Sequence, residues 1–308
     1  MEKRGIGPIV VVDLLRNSNK WKNISKRELT EVIEPKSLFD FLNKNSNKVS
    51  AIIHMGAISS TLENDVDLLL KVNFSLSKNI WNWCTKNRVS FIYASSAATY
   101  GDGSQGFDDN GSVDYLEKLK PLNAYGWSKH LFDRRIARSI EKEELLPPQW
   151  VGLKFFNVYG PNELHKAEMA SVVSKVYPFA SRGEAFQLFK SHDNRFKDGG
   201  QLRDFIWVGD CVDIILWFLE HDGKSGLFNC GTGNPRSFLD LVETVYKTLE
   251  KKPLVNFIDT PESIKKNYQY YTKAEMQRLR DLGYNNPMTT LEDGIANYLN
   301  NYLNTNDR

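Results

Sequence analysis

Short apolar runs and amphipathic stretches alternate through the first half of the chain. Pro8–Asp13 (PIVVVD) is an apolar run ending in a carboxylate, the pattern of a strand buried on both faces. Val49–His54 (VSAIIH), Ser90–Ser95 (SFIYAS) and Trp150–Phe156 (WVGLKFF) repeat it. Helical patterns lie between. Leu69, Val72, Leu76, Ile80 and Trp83 share one stripe of Leu68–Lys86 at three- and four-residue spacing. Pro121–Glu144 reads as a long helix that stops before Pro147 and Pro148, since neither can continue it. Strand-then-helix repetition with doubly apolar strands predicts a doubly wound α/β fold, a parallel sheet with helices on both faces.

Beyond Pro161 the rhythm degrades. A helical stretch, Met169–Phe179, is followed by a charged, glycine-bearing loop, Lys190–Gly200. Strand and helix return at Phe205–Val208, Asp210–Glu220 and Leu227–Cys230, and Ser237–Leu303 reads as mostly helical. The pattern predicts a larger α/β domain over 1–160 and 206–235, and a smaller, discontinuous, mainly α domain over 161–205 and 236–308.

The strongest local signal is Tyr125-Gly-Trp-Ser-Lys129. At i and i+4 on a helix the phenol and the ammonium lie on one face. A neighbouring cation favours the phenolate, so the expectation is a Tyr125 lowered from its usual value near 10 and usable as a proton-transfer group. Alone, a YxxxK is a common helix-surface pattern. Some thirty residues upstream, however, Tyr93-Ala-Ser-Ser-Ala-Ala-Thr-Tyr-Gly101 ends a predicted strand, and open α/β sheets bind ligands beyond the carboxyl ends of their strands. Ser96 is the better candidate for a hydrogen-bond donor to substrate, and Ser95 the runner-up.

These residues resemble the extended short-chain dehydrogenase/reductase superfamily. Phe156-Asn-Val-Tyr-Gly-Pro161, His165-Lys166 with Met169-Ala-Ser-Val172, Arg203-Asp-Phe-Ile-Trp-Val-Gly-Asp210 and Phe228-Asn-Cys-Gly-Thr-Gly233 narrow the resemblance to the ADP-L-glycero-D-manno-heptose 6-epimerases. It implies that the larger domain binds dinucleotide and the smaller one substrate. It also implies NADP as cofactor, an ADP-heptose sugar nucleotide as substrate, and epimerisation at carbon 6 through transient oxidation, supplying heptose for the lipopolysaccharide inner core. Tyr125 and Lys166 map onto the two catalytic groups, with Ser96 and Lys129 beside them. Inverting a centre through a ketone needs a proton donor on each side of the same carbonyl, and one rigid YxxxK serves one side. Asp13, Leu14, Lys20, Met55, Gly56, Ala57, Ile58, Ser59, Asn73, Lys129, Val158 and Lys166 map onto cofactor contacts. Asp13 would accept from ribose hydroxyls, and Lys20, with Arg16 nearby, would meet a 2′-phosphate. Asn157, Glu168, Lys175, Phe189, Lys190, Ser191, His192, Arg203 and Tyr268 map onto substrate contacts, Arg203 as the partner of a pyrophosphate. Glu168 and Lys175 stand where the family usually shows a serine and a histidine. A 4,6-dehydratase is disfavoured, because Ala97-Ala98-Thr99 occupies the place of its extra acid pair. The alternatives are another sugar-nucleotide epimerase or decarboxylase, or an inactive remnant.

That last alternative arises from the start of the chain. The family opens with a strand and a GxxGxxG turn that brings backbone donors to a pyrophosphate. Here Gly5 and Gly7 precede a strand instead of following one. The expectation is that about 25 residues of the family pattern, one βα unit, are missing. Such a chain should hold NADP poorly and expose a sheet edge.

Composition changes the picture only by exclusion. Lys and Arg total 40 against 38 Asp and Glu in 308 residues, a net charge of +2, which gives no footprint for nucleic acid. Three scattered cysteines form neither a disulfide framework nor a CxxC metal pair, which fits a reducing cytoplasm and no metal. No apolar run approaches the roughly 18 residues of a membrane span. Assembly as a homo-oligomer, a pentamer, is again what the resemblance implies.

Overall fold

The computed structural model describes residues 1–16, 19–265 and 268–305. Its strands in chain order are β1 (Val10–Val12), β2 (Glu31–Ile33), β3 (Ala51–His54), β4 (Ser90–Ser96), β5 (Trp150–Phe155) and β6 (Asn157–Tyr159). There follow β7 (Phe186–Phe189), β8 (Leu202–Arg203), β9 (Phe205–Trp207), β10 (Gly226–Cys230), β11 (Arg236–Ser237) and β12 (Val255–Ile258). The central sheet runs β10-β5-β4-β3, all parallel, with Ile53 opposite Ile92, Ala94 opposite Leu153 and Phe228 opposite Leu153.

Side-chain alternation along β4 divides the core. Phe91 and Tyr93 face Trp81, Phe132 and Trp150 on one side of the sheet, while Ile92 joins Val151, Leu153, Ile214 and Phe218 on the other. Helices cover both faces, and the fold is the doubly wound α/β type. A further core gathers Val173, Val176, Leu241, Val245, Ile295 and Tyr298 around Tyr159 and Trp207.

Three expectations need correction. The run Pro8–Asp13 forms a strand, but it is not buried on both faces: Val12 is 37% exposed. β1 pairs only with β2 among the described residues, so it lacks the neighbours that enclose β4. The helix expected over Leu68–Lys86 is wound as a widened π turn, Leu70–Ser75, leading into Leu76–Asn87. The tail is less helical than its periodicity suggests, because β12 leaves it to pair in parallel with β7, and Leu202 bridges to Tyr271. Lys266 and Asn267, within that tail, lie outside the described residues. Among the described residues no helix is long and apolar enough to cross a membrane.

Candidate active site

Ser96 closes β4, and its hydroxyl accepts from the Ala98 amide at 3.1 Å, starting the turn Ala97–Tyr100. The helix Ala124–Glu141 starts where Asn123 caps it, its side chain accepting from the Gly126 amide at 2.8 Å. Gly126 lets that helix approach the turn. A Cβ there would lie 2.7 Å from the Ala98 carbonyl oxygen. Two separate caps thus bring Tyr125 and Lys129 to the carboxyl end of β4. Lys129 reaches under the strand and donates to the Ala94 carbonyl at 2.9 Å.

The electrostatics differ from expectation. Burial raises Tyr125 above the ordinary phenol value, and its hydrogen bond with Ser96 offsets only part of that rise. The Lys129 ammonium is spent on Ala94 and does not hydrogen-bond the phenol. Tyr125 is therefore a neutral phenol at pH 7. Lys129 itself is pushed down to about 8 by burial, against the opposing pull of Asp133. Ser95, the alternative to Ser96, points to the other face of the strand and donates to Asp133 at 2.7 Å.

The loop Met55–Ser59 follows β3 and is clamped by Asn73 from the π turn. The Asn73 amide accepts from Ile58 N and donates to Ile58 O, both at 2.9 Å, and donates to Ser128 Oγ at 3.0 Å. Ser128 in turn donates to the Tyr125 carbonyl at 2.7 Å. Ile58, within the run Met55, Gly56, Ala57, Ile58 and Ser59, is thereby tied to the start of the Tyr125 helix. His54, just before this loop, escaped sequence reasoning. It is buried, 3.0 Å from Ser77 Oγ, and pushed down to about 4 by burial and by Lys129.

At the far end of the expected cofactor site, Lys20 Nζ lies 2.6 Å from Asp13 Oδ1, which also accepts from the Leu14 amide at 2.7 Å. The pair expected to meet ribose and phosphate is paired with itself. Val158 and Asn157 lie on β6, opposite Ile206 and Phe205 of β9.

Lys166 is exposed on the turn Leu164–Met169, whose Ala167 adopts φ 48. The buried Glu163 closes this loop by accepting from both the amide and the hydroxyl of Ser171, at 2.7 and 2.6 Å. No hydrogen bond joins Lys166 to Ser96, Tyr125 or Lys129 among the described residues. Glu168 and Lys175 hold each other, Lys175 Nζ donating to the Glu168 carbonyl at 2.6 Å.

A cavity of about 550 Å³ is lined by His192, Asp193, Asn194, Arg195, Tyr268 and Tyr270. His192 stacks edgewise on both tyrosines, with ring centroids 5.9 and 5.0 Å away, and Phe189 meets Tyr268. Lys190 turns outward to Asp259 at 3.0 Å, and the Ser191 hydroxyl donates to the Asp193 carbonyl at 2.7 Å. Arg203 sits over the Tyr268 ring at 5.7 Å and donates to the carbonyls of Leu202 and Gln269. It is 8% exposed, and burial pulls it down to about 10. No carboxylate pairs with it among the described residues. A buried guanidinium without a counter-charge is a place for an anion.

Of the residues expected from the sequence, Ser96, Tyr125 and Lys129 come together at the end of β4, and Phe189, His192, Arg203 and Tyr268 lie in one region. Sequence reasoning missed Tyr270, Arg195 and the buried pair Lys154–Asp133. Lys154 did carry a signal: a lysine inside the doubly apolar run WVGLKFF must find a buried partner.

The family model described as the NAD dependent epimerase/dehydratase family matches residues 1–231. The chain is 45% identical to an ADP-L-glycero-D-manno-heptose-6-epimerase of Fusobacterium nucleatum subsp. nucleatum, over 98% of this chain and 92% of that protein. It is 42% identical to the protein of the same name from Nitratidesulfovibrio vulgaris (strain DP4), again over 98% and 92%. The crystal structure of the Helicobacter pylori ADP-L-glycero-D-manno-heptose-6-epimerase superposes with a TM-score of 0.73 at 27% identity, covering 94% of this chain and 86% of that one. A site with this geometry, in a chain this similar to these proteins, belongs to the NAD dependent epimerase/dehydratase family, on its ADP-L-glycero-D-manno-heptose-6-epimerase branch.

Proposed function

We propose that this protein inverts carbon 6 of ADP-D-glycero-D-manno-heptose to give the L-glycero sugar nucleotide, supplying heptose for lipopolysaccharide. The observation that carries the reading is the meeting of Ser96, Tyr125 and Lys129 at the end of β4, in a chain 45% identical to an enzyme of that name. Family membership brings a nicotinamide dinucleotide cofactor, and the residues at its reactive end fit one. The clamped Met55–Ser59 loop, Asn73 and Lys129 would hold the nicotinamide ribose, with Val158 alongside. NADP is favoured over NAD by Lys20, the cation paired with Asp13, and by Arg16, three residues further along the chain. The nicotinamide ring, when bound, supplies the hydride acceptor and donor for carbon 6.

The chain's own residues handle the proton and the sugar. Oxidation removes a proton from the C6 hydroxyl as hydride departs, and reduction on the opposite face requires a proton for the new hydroxyl. Tyr125, neutral and hydrogen-bonded to Ser96, suits donation on one side of the ketone. Lys166, from its closed loop and as its free amine, would accept the C6 hydroxyl proton on the other side as hydride leaves, and proton exchange with water returns both groups to their starting states. Arg203 holds the pyrophosphate, and the tyrosines at the cavity hold the nucleotide. Asn157 and Ser96 contact the sugar. A cytoplasmic homo-oligomer, a pentamer, belongs to the same proposal and is checked by light scattering.

The test is direct. Purified protein is incubated with ADP-D-glycero-D-manno-heptose and NADP, and the C6 configuration of the product is read by NMR. Quantitative recovery of unchanged D-glycero substrate overturns the proposal.

A further inference from the structure

An ion pair buried at both ends lies beneath the candidate catalytic groups. Lys154 is in β5, and Asp133 is on the Ala124–Glu141 helix, one turn past Lys129 and two past Tyr125. Lys154 Nζ is 2.6 Å from Asp133 Oδ2, and neither side chain is exposed. Asp133 also accepts from Ser95 Oγ at 2.7 Å and from the Tyr93 hydroxyl at 2.9 Å. Lys154 donates to Thr99 Oγ1 at 2.8 Å and lies 5.0 Å from the centre of the Tyr100 ring. Thr99 in turn donates to the carbonyl of Ser96 at 2.7 Å. Removing an ion pair wholly from water gives little stability over two apolar residues of similar volume. Stability alone is therefore a weak reason for this pair. What it joins is specific: the strand that ends in Ser96, the turn after it, and the helix carrying Tyr125 and Lys129.

We infer that Asp133 and Lys154 are positioning residues for this site: Lys154 fixes the turn that aims Ser96, and Asp133 supplies the charge that keeps the Lys129 ammonium protonated where it is buried. Among the described residues, the titratable groups around Lys129 are Tyr125 and Asp133 on its own helix and His54 at the end of β3; Tyr125, raised by burial, is neutral at pH 7. Beyond Asp133 lie Tyr93 and Lys154, which share its carboxylate. His54, pushed down to about 4, is neutral at pH 7, and Tyr93 is held far above 10. Asp133 is thus the negative charge that acts on Lys129. The geometry is indifferent to the identity of the sugar, and the inference rests on the epimerase reading only for its activity measurement.

The test titrates Lys129 by NMR of ¹³C-labelled lysine ε-carbons and measures kcat and KM separately. Four proteins are compared: the wild type, Lys154→Arg, Thr99→Val, and the double variant Asp133→Asn/Lys154→Met, which leaves neither charge alone. Lys129 should titrate near 8 in the wild type and Lys154→Arg, and lower in the double variant. The double variant should lose about tenfold or more in kcat while KM for the sugar nucleotide moves less than about threefold, and Lys154→Arg should recover most of the rate. Thr99→Val should lower kcat severalfold with the Lys129 midpoint unchanged. An unmoved Lys129 midpoint in a folded double variant overturns the inference, as does wild-type kcat in Thr99→Val. Where the double variant does not fold, Thr99→Val decides alone. A wild type inert toward the sugar nucleotide removes the epimerase reading, and the Lys129 titration still decides this one.

Discussion

The side-chain amide of Asn73 exchanges two hydrogen bonds of 2.9 Å with the backbone of a single residue, Ile58. It copies the pairing of a strand neighbour, and so holds an irregular loop without a strand. The third bond, to Ser128, ties the loop to the helix of Tyr125. Asn73 is 1% exposed, so truncation leaves buried polar groups without partners. Asn73→Ala should cost about 2–4 kcal/mol of stability by chemical denaturation. It should also weaken NADP, measured calorimetrically, by about tenfold or more even in refolded protein, because the loop is no longer preorganised. Wild-type cofactor affinity would show that the clamp serves the fold alone.

Tyr125→Phe removes the phenolic proton and keeps the ring. Lys166→Ala removes the side-chain amine on the exposed loop. Each should lower kcat by about 10²–10⁴-fold, the usual worth of one proton-transfer group, with far smaller changes in KM. A near wild-type rate in either variant breaks the two-sided mechanism. Ser95→Ala takes one donor from Asp133 and touches no reacting atom, so it should lower kcat severalfold at most.

How legible was this site? Ser96, Tyr125 and Lys129 lie in two short motifs, each placed by local structure: a strand end for Ser96, an Asn-capped helix start for the others. Local signals were enough there. The remainder is held by contacts between residues far apart in sequence. Leu202 accepts Tyr271 as a bridge partner, and Arg203 reaches the Gln269 carbonyl, so the segment carrying Tyr268 and Tyr270 is set by pairing that no periodicity encodes. Spacing alone gives the wrong direction for the Tyr125 phenol for a related reason. It places Lys129 one turn away, but not whether its amine reaches the phenol or, as found, the Ala94 carbonyl.

The Asp13–Lys20 pair bears on cofactor choice. At 2.6 Å, with both side chains about a third exposed, it is a surface pair of small net worth, easily exchanged for a better anion. A 2′-phosphate offers more charge than the Asp13 carboxylate. Lys20→Ala should therefore weaken NADP by about 1.5–3 kcal/mol, the worth of a charged contact, while NAD changes little. Equal weakening of both cofactors in parallel titrations would end the case for NADP.

Asp109 makes the last prediction. Its carboxylate is 1% exposed, accepts from the Asn229 amide at 2.8 Å and lies 3.6 Å from Arg278 Nε. Burial nevertheless raises it from 3.8 to about 6. A carboxyl raised on folding favours the folded state while protonated, so its contribution is full below pH 3.8 and is lost as pH rises through about 6. The loss approaches about 3 kcal/mol by pH 7, since each pH unit separating the folded and unfolded values is worth about 1.36 kcal/mol. His54 and His130, both pushed down to about 4, act in the opposite sense over the same range, since their folded forms resist protonation. Absolute stability therefore does not isolate Asp109, but a difference does. Asp109→Asn keeps an acceptor for the Asn229 amide and cannot ionise. Its stability relative to wild type should rise by about 1–3 kcal/mol between pH 4 and pH 7, measured by urea denaturation at each pH. A flat difference across that range would mean that Asp109 is ionised in the folded protein at ordinary acid strength, with Arg278 compensating its burial in full.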